Sequence, residues 1–560
     1  MNLKKFLIIC SILFALSTIE ATAFIFKNKT IIHSDNYIKN YLYGSILYDE
    51  NKHNLAAKNL DKINELTGRH IEYDIKHISS LVINGKLAEA AKIVSETERV
   101  YSDIFLFDFI KSVNFLKQKK YEVALSEIKK IKSNDPLFRE FQNSLIFWIK
   151  IQDKKKNRLN EIKEYKSRYL SVGLINKFLS SYYLENLKLY NDYNSKVLKS
   201  NGLVRYQIFS AWNEKKIGNH KKAIGILETA LTKNNRNLLL KQSIIDFKRN
   251  NNLILSFHDS KKFDDNISEI FYLFSNLFKQ RDDELSNLLL SLSLEFNGRF
   301  LSNHLASFEN HLSDNKAKNI DYLLVSKLKN IGSEYRWYID YQIAINEENK
   351  NLKFLEKSIT TDDLFLEDKY FDLANFYRIK KDYHLALDYY EKIEKLNLDL
   401  DWTFYYFKGI CHERLDMWDL SEKNLKKSIS LSPKQYTVIN YLAYSWLDRE
   451  KNIDEATEML EDAVKLSKWE LGYIIDSLGW AYFLKKDFDK AEKLLKIAYE
   501  KTPSESEVYD HYGDVLWVQN KFLQARYVWK NALNLENIDP ERKKRIKDKI
   551  VNGLRISEQN

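Results

Sequence analysis

The sequence predicts an all-α chain, a solenoid of antiparallel helical hairpins whose middle units are degenerate, and three observations carry that prediction. Small residues return every 34 positions: Gly479 and Gly513, Ala491 and Ala525, Ala498 and Ala532 in the C-terminal part, and Ala56, Ala90 and Ala124 in the N-terminal part. Between them apolar residues recur at steps of three and four, the pattern of helices with one buried face. Only 4 Pro and 14 Gly occur in 560 residues, and no Pro-, Gly- or Ser-rich linker divides the chain.

A 34-residue helix-turn-helix period is the tetratricopeptide (TPR) signature, so the expected fold is a TPR α-solenoid, a superhelix of antiparallel helical hairpins. Residues 472–505 show the logic. Ile475, Leu478, Gly479 and Tyr482 form one helix face; Ala491, Leu494, Leu495 and Ala498 form a second after the polar break Lys485, Lys486, Asp487. Gly479 and Ala491 have no bulk, so the two backbones can approach, and Pro503 ends the unit because proline cannot continue a helix.

Taken in order, residues 1–23 read as a signal peptide: Lys4 and Lys5, an apolar run from Phe6 to Leu16, and small residues at Ala21 to Ala23. This predicts export to a periplasm, with an uncleaved inner-membrane anchor as the alternative. Cys10 lies behind Ile8 and Ile9, a poor lipid-attachment site, and the exported chain keeps only Cys411, so no internal disulfide is expected. Residues 24–138 hold an N-terminal array with units at about 37–70, 71–104 and 105–138. Residues 139–366 are read as degenerate hairpins, with one clear unit at 204–237. The C-terminal array, 367–539, runs 367–400, 402–435, 436–471, 472–505 and 506–539, and the two extra residues of 436–471 are placed in its turns. Residues 540–560 are read as a charged capping helix, with Pro540 at its start, and a polar tail.

Composition narrows the function. The formal charge of +10 is the difference between 88 basic and 78 acidic residues spread along the chain, which fits solvated helix faces and gives no nucleic-acid-binding block. No phosphate-binding Gly loop, His-Glu-x-x-His or Cys-x-x-Cys is present. His304 and His311 could share a helix face, and Cys411 and His412 are adjacent, yet packing explains both pairs better than chemistry. No cofactor, metal or catalytic residue is expected, and an enzyme reading would need a centre within 238–366, where no constellation is seen.

One constellation exceeds packing. In repeat phase the fifth positions of first helices carry Asn440, Asp476 and Asp510, and the ninth positions carry Tyr444, Trp480 and Asp514. First helices line one side of a stacked array, so these six residues predict a ladder that hydrogen-bonds and stacks against an extended partner peptide. The alternative is that the Asn and Asp residues bond to neighbouring helices while the aromatics pack between units.

Asn440-Tyr-Leu-Ala-Tyr-Ser-Trp446, then Asp476-Ser-Leu-Gly-Trp-Ala481, then Asp510-His-Tyr-Gly-Asp514 resembles a family of exported proteobacterial TPR proteins. Members read Asn-Tyr-Leu-Gly-Tyr-Ser-Trp, Asp-Ser-Leu-Gly-Trp-Ala and Asp-His-Leu-Gly-Asp in that order. The resemblance is strong over about 400–535 and weak over 265–345, with Ala443 replacing Gly and Tyr512 replacing Leu. It implies a non-enzymatic envelope scaffold. Its relatives with a known role are periplasmic lipoprotein adaptors that bind a carboxyl-terminal processing protease and present cell-wall hydrolases to it. Protein or peptide partners are therefore expected, no nucleic acid or small-molecule substrate, and peripheral membrane association as a further option. A structural subunit of a secretion or polysaccharide-export assembly is the second reading.

Overall fold

The computed structural model describes residues 35–554 except 99, 102–103, 154–156, 250–257, 301–302, 314–321, 347–351, 361–362 and 536–537. The expected signal segment and the polar tail beyond 554 lie outside the described residues. The chain divides between Ile339 and Asp340 into two compact units. No helix among the described residues is long and apolar enough to cross a membrane.

The fold is all-α, built from helices packed against their sequence neighbours as hairpins. In the first unit α1 (Asp35–Asp49) pairs with α2 (His53–Leu60), α3 (Ile71–Ile83) with α4 (Leu87–Thr97), and α5 (Phe105–Lys117) with α6 (Tyr121–Lys130). Next come α7 (Pro136–Gln152) with α8 (Arg158–Glu164), α9 (Leu170–Tyr183) with α10 (Leu187–Lys199), and α11 (Val204–Lys216) with α12 (His220–Leu231). After α13 (Leu238–Lys248), α14 (Phe263–Phe278) pairs with α15 (Asp283–Phe296) and α16 (Asn303–Ser313) with α17 (Tyr322–Lys329). The division falls inside α18 (Ser333–Asn346).

First helices of the stretch read as degenerate still start in step: α7, α9, α11 and α13 begin at Pro136, Leu170, Val204 and Leu238, each 34 residues after the last. What changes there is the chemistry of close approach. Asn176, fully buried, accepts from Trp148 Nε1 at 2.8 Å and donates to Ser144 Oγ, Tyr165 OH and the Val172 carbonyl at 3.1 to 3.3 Å. A bonded polar network thus joins the first helices α7 and α9 across successive repeats.

The α14–α15 hairpin is closed by serines spaced seven apart. Ser268 and Ser293 exchange hydroxyl-to-carbonyl bonds of 2.8 Å, and Ser275 and Ser286 do the same at 2.9 Å. Each hydroxyl satisfies itself on the opposing backbone, which lets the helices meet without a buried orphan group. This hairpin packs back on the first helices of the N-terminal array. Phe271 and Phe274 meet Phe141 of α7 at 5.4 and 5.0 Å, Ser291 donates to the last carbonyl of α3 (Ile83), and Lys117 of α5 donates to the Glu295 carbonyl. Arg205 of α11 forks onto Glu269 at 2.6 and 2.8 Å and bonds Asn303 at 2.6 Å, with Tyr272 against the guanidinium. The first-helix side of this array is therefore filled by the chain itself.

In the second unit, α19 (Leu352–Ser358) precedes α20 (Leu366–Ile379) with α21 (Tyr383–Glu394), α22 (Trp402–Arg414) with α23 (Trp418–Leu431), and α24 (Tyr436–Asp448) with α25 (Ile453–Leu466). There follow α26 (Gly472–Leu484) with α27 (Phe488–Lys501), α28 (Ser506–Val518) with α29 (Phe522–Ala532), and α30 (Pro540–Asn552). The small-residue phase has a direct cause. A Cβ on Gly479 would lie 2.7 Å from Leu495 Cγ, and one on Gly513 would lie 2.2 Å from Trp529 Nε1. The two extra residues of 436–471 sit in turns. The turn after α24 has Glu450 and Asn452 left-handed, and the turn after α25 has Lys468 and Trp469 left-handed, where α22, α26 and α28 are followed by one such residue each.

Candidate partner-binding row on the first helices of the C-terminal array

Asn440 and Tyr444 lie on α24, Asp476 and Trp480 on α26, and Asp510 and Asp514 on α28, helices that pack side by side across successive repeats. Each pair is four residues apart, so both members share a helix face. Asp476, Asp510 and Asp514 are buried, whereas Asn440, Tyr444 and Trp480 are half-buried.

The row is joined by residues beyond these six. His511 Nδ1 sits 2.9 Å from Asp476 Oδ2, and its ring stacks on Trp480 with centroids 4.2 Å apart. Trp480 also stacks on Phe483 at 4.7 Å, so rings of the chain itself already stack on the indole. Tyr444 OH donates to Glu507 Oε1 at 2.8 Å, and Arg542 of α30 donates to the same oxygen at 2.7 Å. Lys549, two turns further along α30, donates to Asp510 at 2.6 Å and to both oxygens of Asp514 at 2.7 Å.

Electrostatics follow this geometry. Burial works to lower the His511 pKa, but Asp476, Glu507 and Asp510 outweigh it and hold the imidazole above its ordinary value. Burial works to raise Glu507, and the His511 and Arg542 charges outweigh that and hold the carboxyl below its usual range. At Asp514 burial wins, helped by Asp510 and opposed by Lys549, and the carboxyl is pushed up to about 6. Burial, reinforced by Glu507, raises the Tyr444 phenol.

Two row oxygens are left over. Asn440 Oδ1 and Asp476 Oδ1 are buried and have no hydrogen-bond partner among the described residues. A buried unsatisfied acceptor costs about 1–3 kcal/mol. The row thus has a part engaged by α30, at 507–514, and a part with unused acceptors, at 440–476.

Glu507, His511, Arg542 and Lys549 are not singled out by repeat phase. A signal exists in the sequence: Glu507 and His511 are four apart, and Arg542 and Lys549 are seven apart on a helix whose one fully buried residue is Ile546. Reading it needs to know that α30 packs against α28.

The Cys411 thiol is fully buried and pushed up to about 12 by burial, and His412 faces Asn424 at 3.4 Å. His304 Nε2 meets the Gly298 carbonyl at 3.2 Å. Among the described residues no three His, Cys, Asp or Glu side chains converge as a metal site.

No protein-family model and no curated protein matches the sequence. Solved TPR structures resemble it at low superposition. MamA from Desulfovibrio magneticus RS-1 is 18% identical, covers 30% of this chain and 94% of its own, with a TM-score of 0.27. TTC0263, a TPR protein of Thermus thermophilus, is 20% identical over 32% of this chain and 97% of its own, with a TM-score of 0.29. The Cut9–Hcn1 hetero-tetramer of the APC/C is 15% identical over 92% of this chain and 96% of its own, with a TM-score of 0.37. The repeat assignment stands on the chain's own helix pairing and 34-residue spacing.

Proposed function

We propose that this chain is a non-enzymatic interaction scaffold that holds a protein partner on the first-helix row Asn440, Tyr444, Asp476 and Trp480. The observation that carries this reading is the contrast within the row. At its 507–514 end, carboxylates are matched by the basic side chains Arg542 and Lys549; one and two repeats earlier, Asp476 and Asn440 each keep one acceptor oxygen that nothing among the described residues uses. The 507–514 end of the row accepts from N–H donors on α30, and the same chemistry is available to a partner segment carrying backbone or basic donors. The N-terminal array supports the choice by contrast, because its first helices are covered by α14 and α15.

The finer role is a periplasmic adaptor, with a processing protease or cell-wall hydrolase as partner. It rests on the leader-like residues 1–23 and the sequence resemblance over 400–535 alone. The test is affinity capture of the native chain from an envelope fraction beside an Asn440→Ala, Tyr444→Ala variant with unchanged circular dichroism. Loss of one defined partner with the variant supports the reading; the same assembly with both proteins makes the chain a structural subunit and the row internal packing.

A further inference from the structure

The row leaves one surface unexplained, on the outer side of α29 and α30. Leu523 and Tyr527, four apart on α29, are 84% and 66% exposed, and Val551 on α30 is 73% exposed. Arg526 Nε bonds the Ile550 carbonyl at 2.9 Å, which brings these two helices side by side. Ile546 is the buried face of α30 and packs with Trp529 and Tyr509, while Arg542 and Lys549 turn toward α28. At about 100° per residue, Lys543, Lys547 and Val551 fall on the opposite flank, the α29 side, with Lys544 next to them. Lys543, Lys544, Lys547 and Lys530 of α29 are exposed, and no ion pair among the described residues engages them. The two acids of α30, Glu541 and Asp548, lie seven apart just beyond Lys544 on the side away from α29, and α29 contains none.

We propose that this outer face docks the protein on an anionic phospholipid surface, with Leu523, Tyr527 and Val551 entering the headgroup region and the four lysines meeting lipid phosphates. Exposed apolar side chains ringed by cations are the interfacial pattern. Each lysine near an anionic bilayer contributes favourably and without fixed geometry. A protein partner fits less well, because lysine is depleted at protein interfaces while flexible ammonium groups suit headgroups. The face points away from α28, so row and lipid surface are used independently.

The test is flotation of the full chain with vesicles of phosphatidylcholine alone or mixed with phosphatidylserine. It compares native protein with Lys543→Gln, Lys544→Gln, Lys547→Gln and with Leu523→Ser, Val551→Ser. All these side chains are exposed, so the fold is expected to survive, checked by circular dichroism. Native protein is expected to float only with the phosphatidylserine vesicles, less as salt rises, and the triple variant to bind on the order of 100-fold more weakly. The serine variant is expected to bind more weakly than native protein at equal salt. All proteins carry the same N-terminal apolar stretch, so differences between them report on this face. Equal binding of native and triple-variant chains overturns the proposal. So does absence of native binding to phosphatidylserine, or capture by polyglutamate with none by vesicles, which would assign the face to an acidic polypeptide.

Discussion

His511 of α28 sits 2.9 Å from the Asp476 carboxylate of α26, a hydrogen-bonded contact between neighbouring repeats inside the candidate row. The same ring lies flat on Trp480, so one side chain ties together the acid, the aromatic and the Glu507–Arg542 pair that α30 completes.

This contact makes stability depend on pH. The folded His511 pKa lies above the ordinary 6.5, so its contribution is fully present below 6.5 and is lost as pH rises through the raised folded value. Denaturant unfolding is expected to show native stability falling as pH rises from 6.5 through the raised folded value, and His511→Gln to flatten that slope. A slope unchanged by the substitution contradicts the assignment.

Lys549 neutralises two buried carboxylates. Replacing it with Met strands Asp510 and Asp514, and removing one partner of a buried pair costs about 3–5 kcal/mol. Asp514 moves in the opposite sense to an ordinary paired acid. Its folded pKa is raised from 3.8 to about 6, so its contribution is present below 3.8 and lost as pH rises through about 6. Asp514→Asn is therefore expected to be tolerated at neutral pH and to reduce the cost of Lys549→Met, read as a coupling energy in a double-mutant cycle.

Two glycines give opposite expectations for the same substitution. Gly513→Ala drives a Cβ into Trp529 and is expected to destabilise by about 1–3 kcal/mol. Gly225 lies within the helix His220–Leu231 with open space around its Cβ position, so Gly225→Ala is expected to stabilise by about 1 kcal/mol. Melting curves of both variants decide it.

Asn176→Leu tests the polar network between α7 and α9. It removes the acceptor for Trp148 Nε1 and the donors to Ser144 and Tyr165. Each buried group left unmatched costs about 1–3 kcal/mol, so the loss is expected to exceed that of a volume-matched apolar swap. A cost below about 1 kcal/mol would show the network to be dispensable.

How legible the fold was depends on which chemistry each repeat uses for close approach. Where Gly409, Gly479 and Gly513 make room for Leu425, Leu495 and Trp529, composition alone shows the period. Where the Ser268–Ser293 and Ser275–Ser286 pairs do the same work by hydrogen bonding, the period disappears from small-residue spacing and from helix starts alike, because α14 begins only 25 residues after α13 does; around Asn176 the helix starts keep the 34-residue step without small residues to mark it. The return of α14 and α15 onto α3 and α7 joins residues far apart in sequence, such as Phe141 and Phe271, which no local pattern encodes. In the row, repeat phase selected Asp476, Asp510 and Asp514, but their partners His511 and Lys549 come from tertiary packing.

The most direct test places a photocrosslinking residue at Tyr444 of the row and, separately, at exposed Glu458 on the second helix of the same repeat. A defined protein adduct is expected from position 444 that disappears in an Asn440→Ala, Asp476→Asn background, and none from position 458. The same adduct from 458, or an adduct at 444 indifferent to those substitutions, would contradict binding on the row.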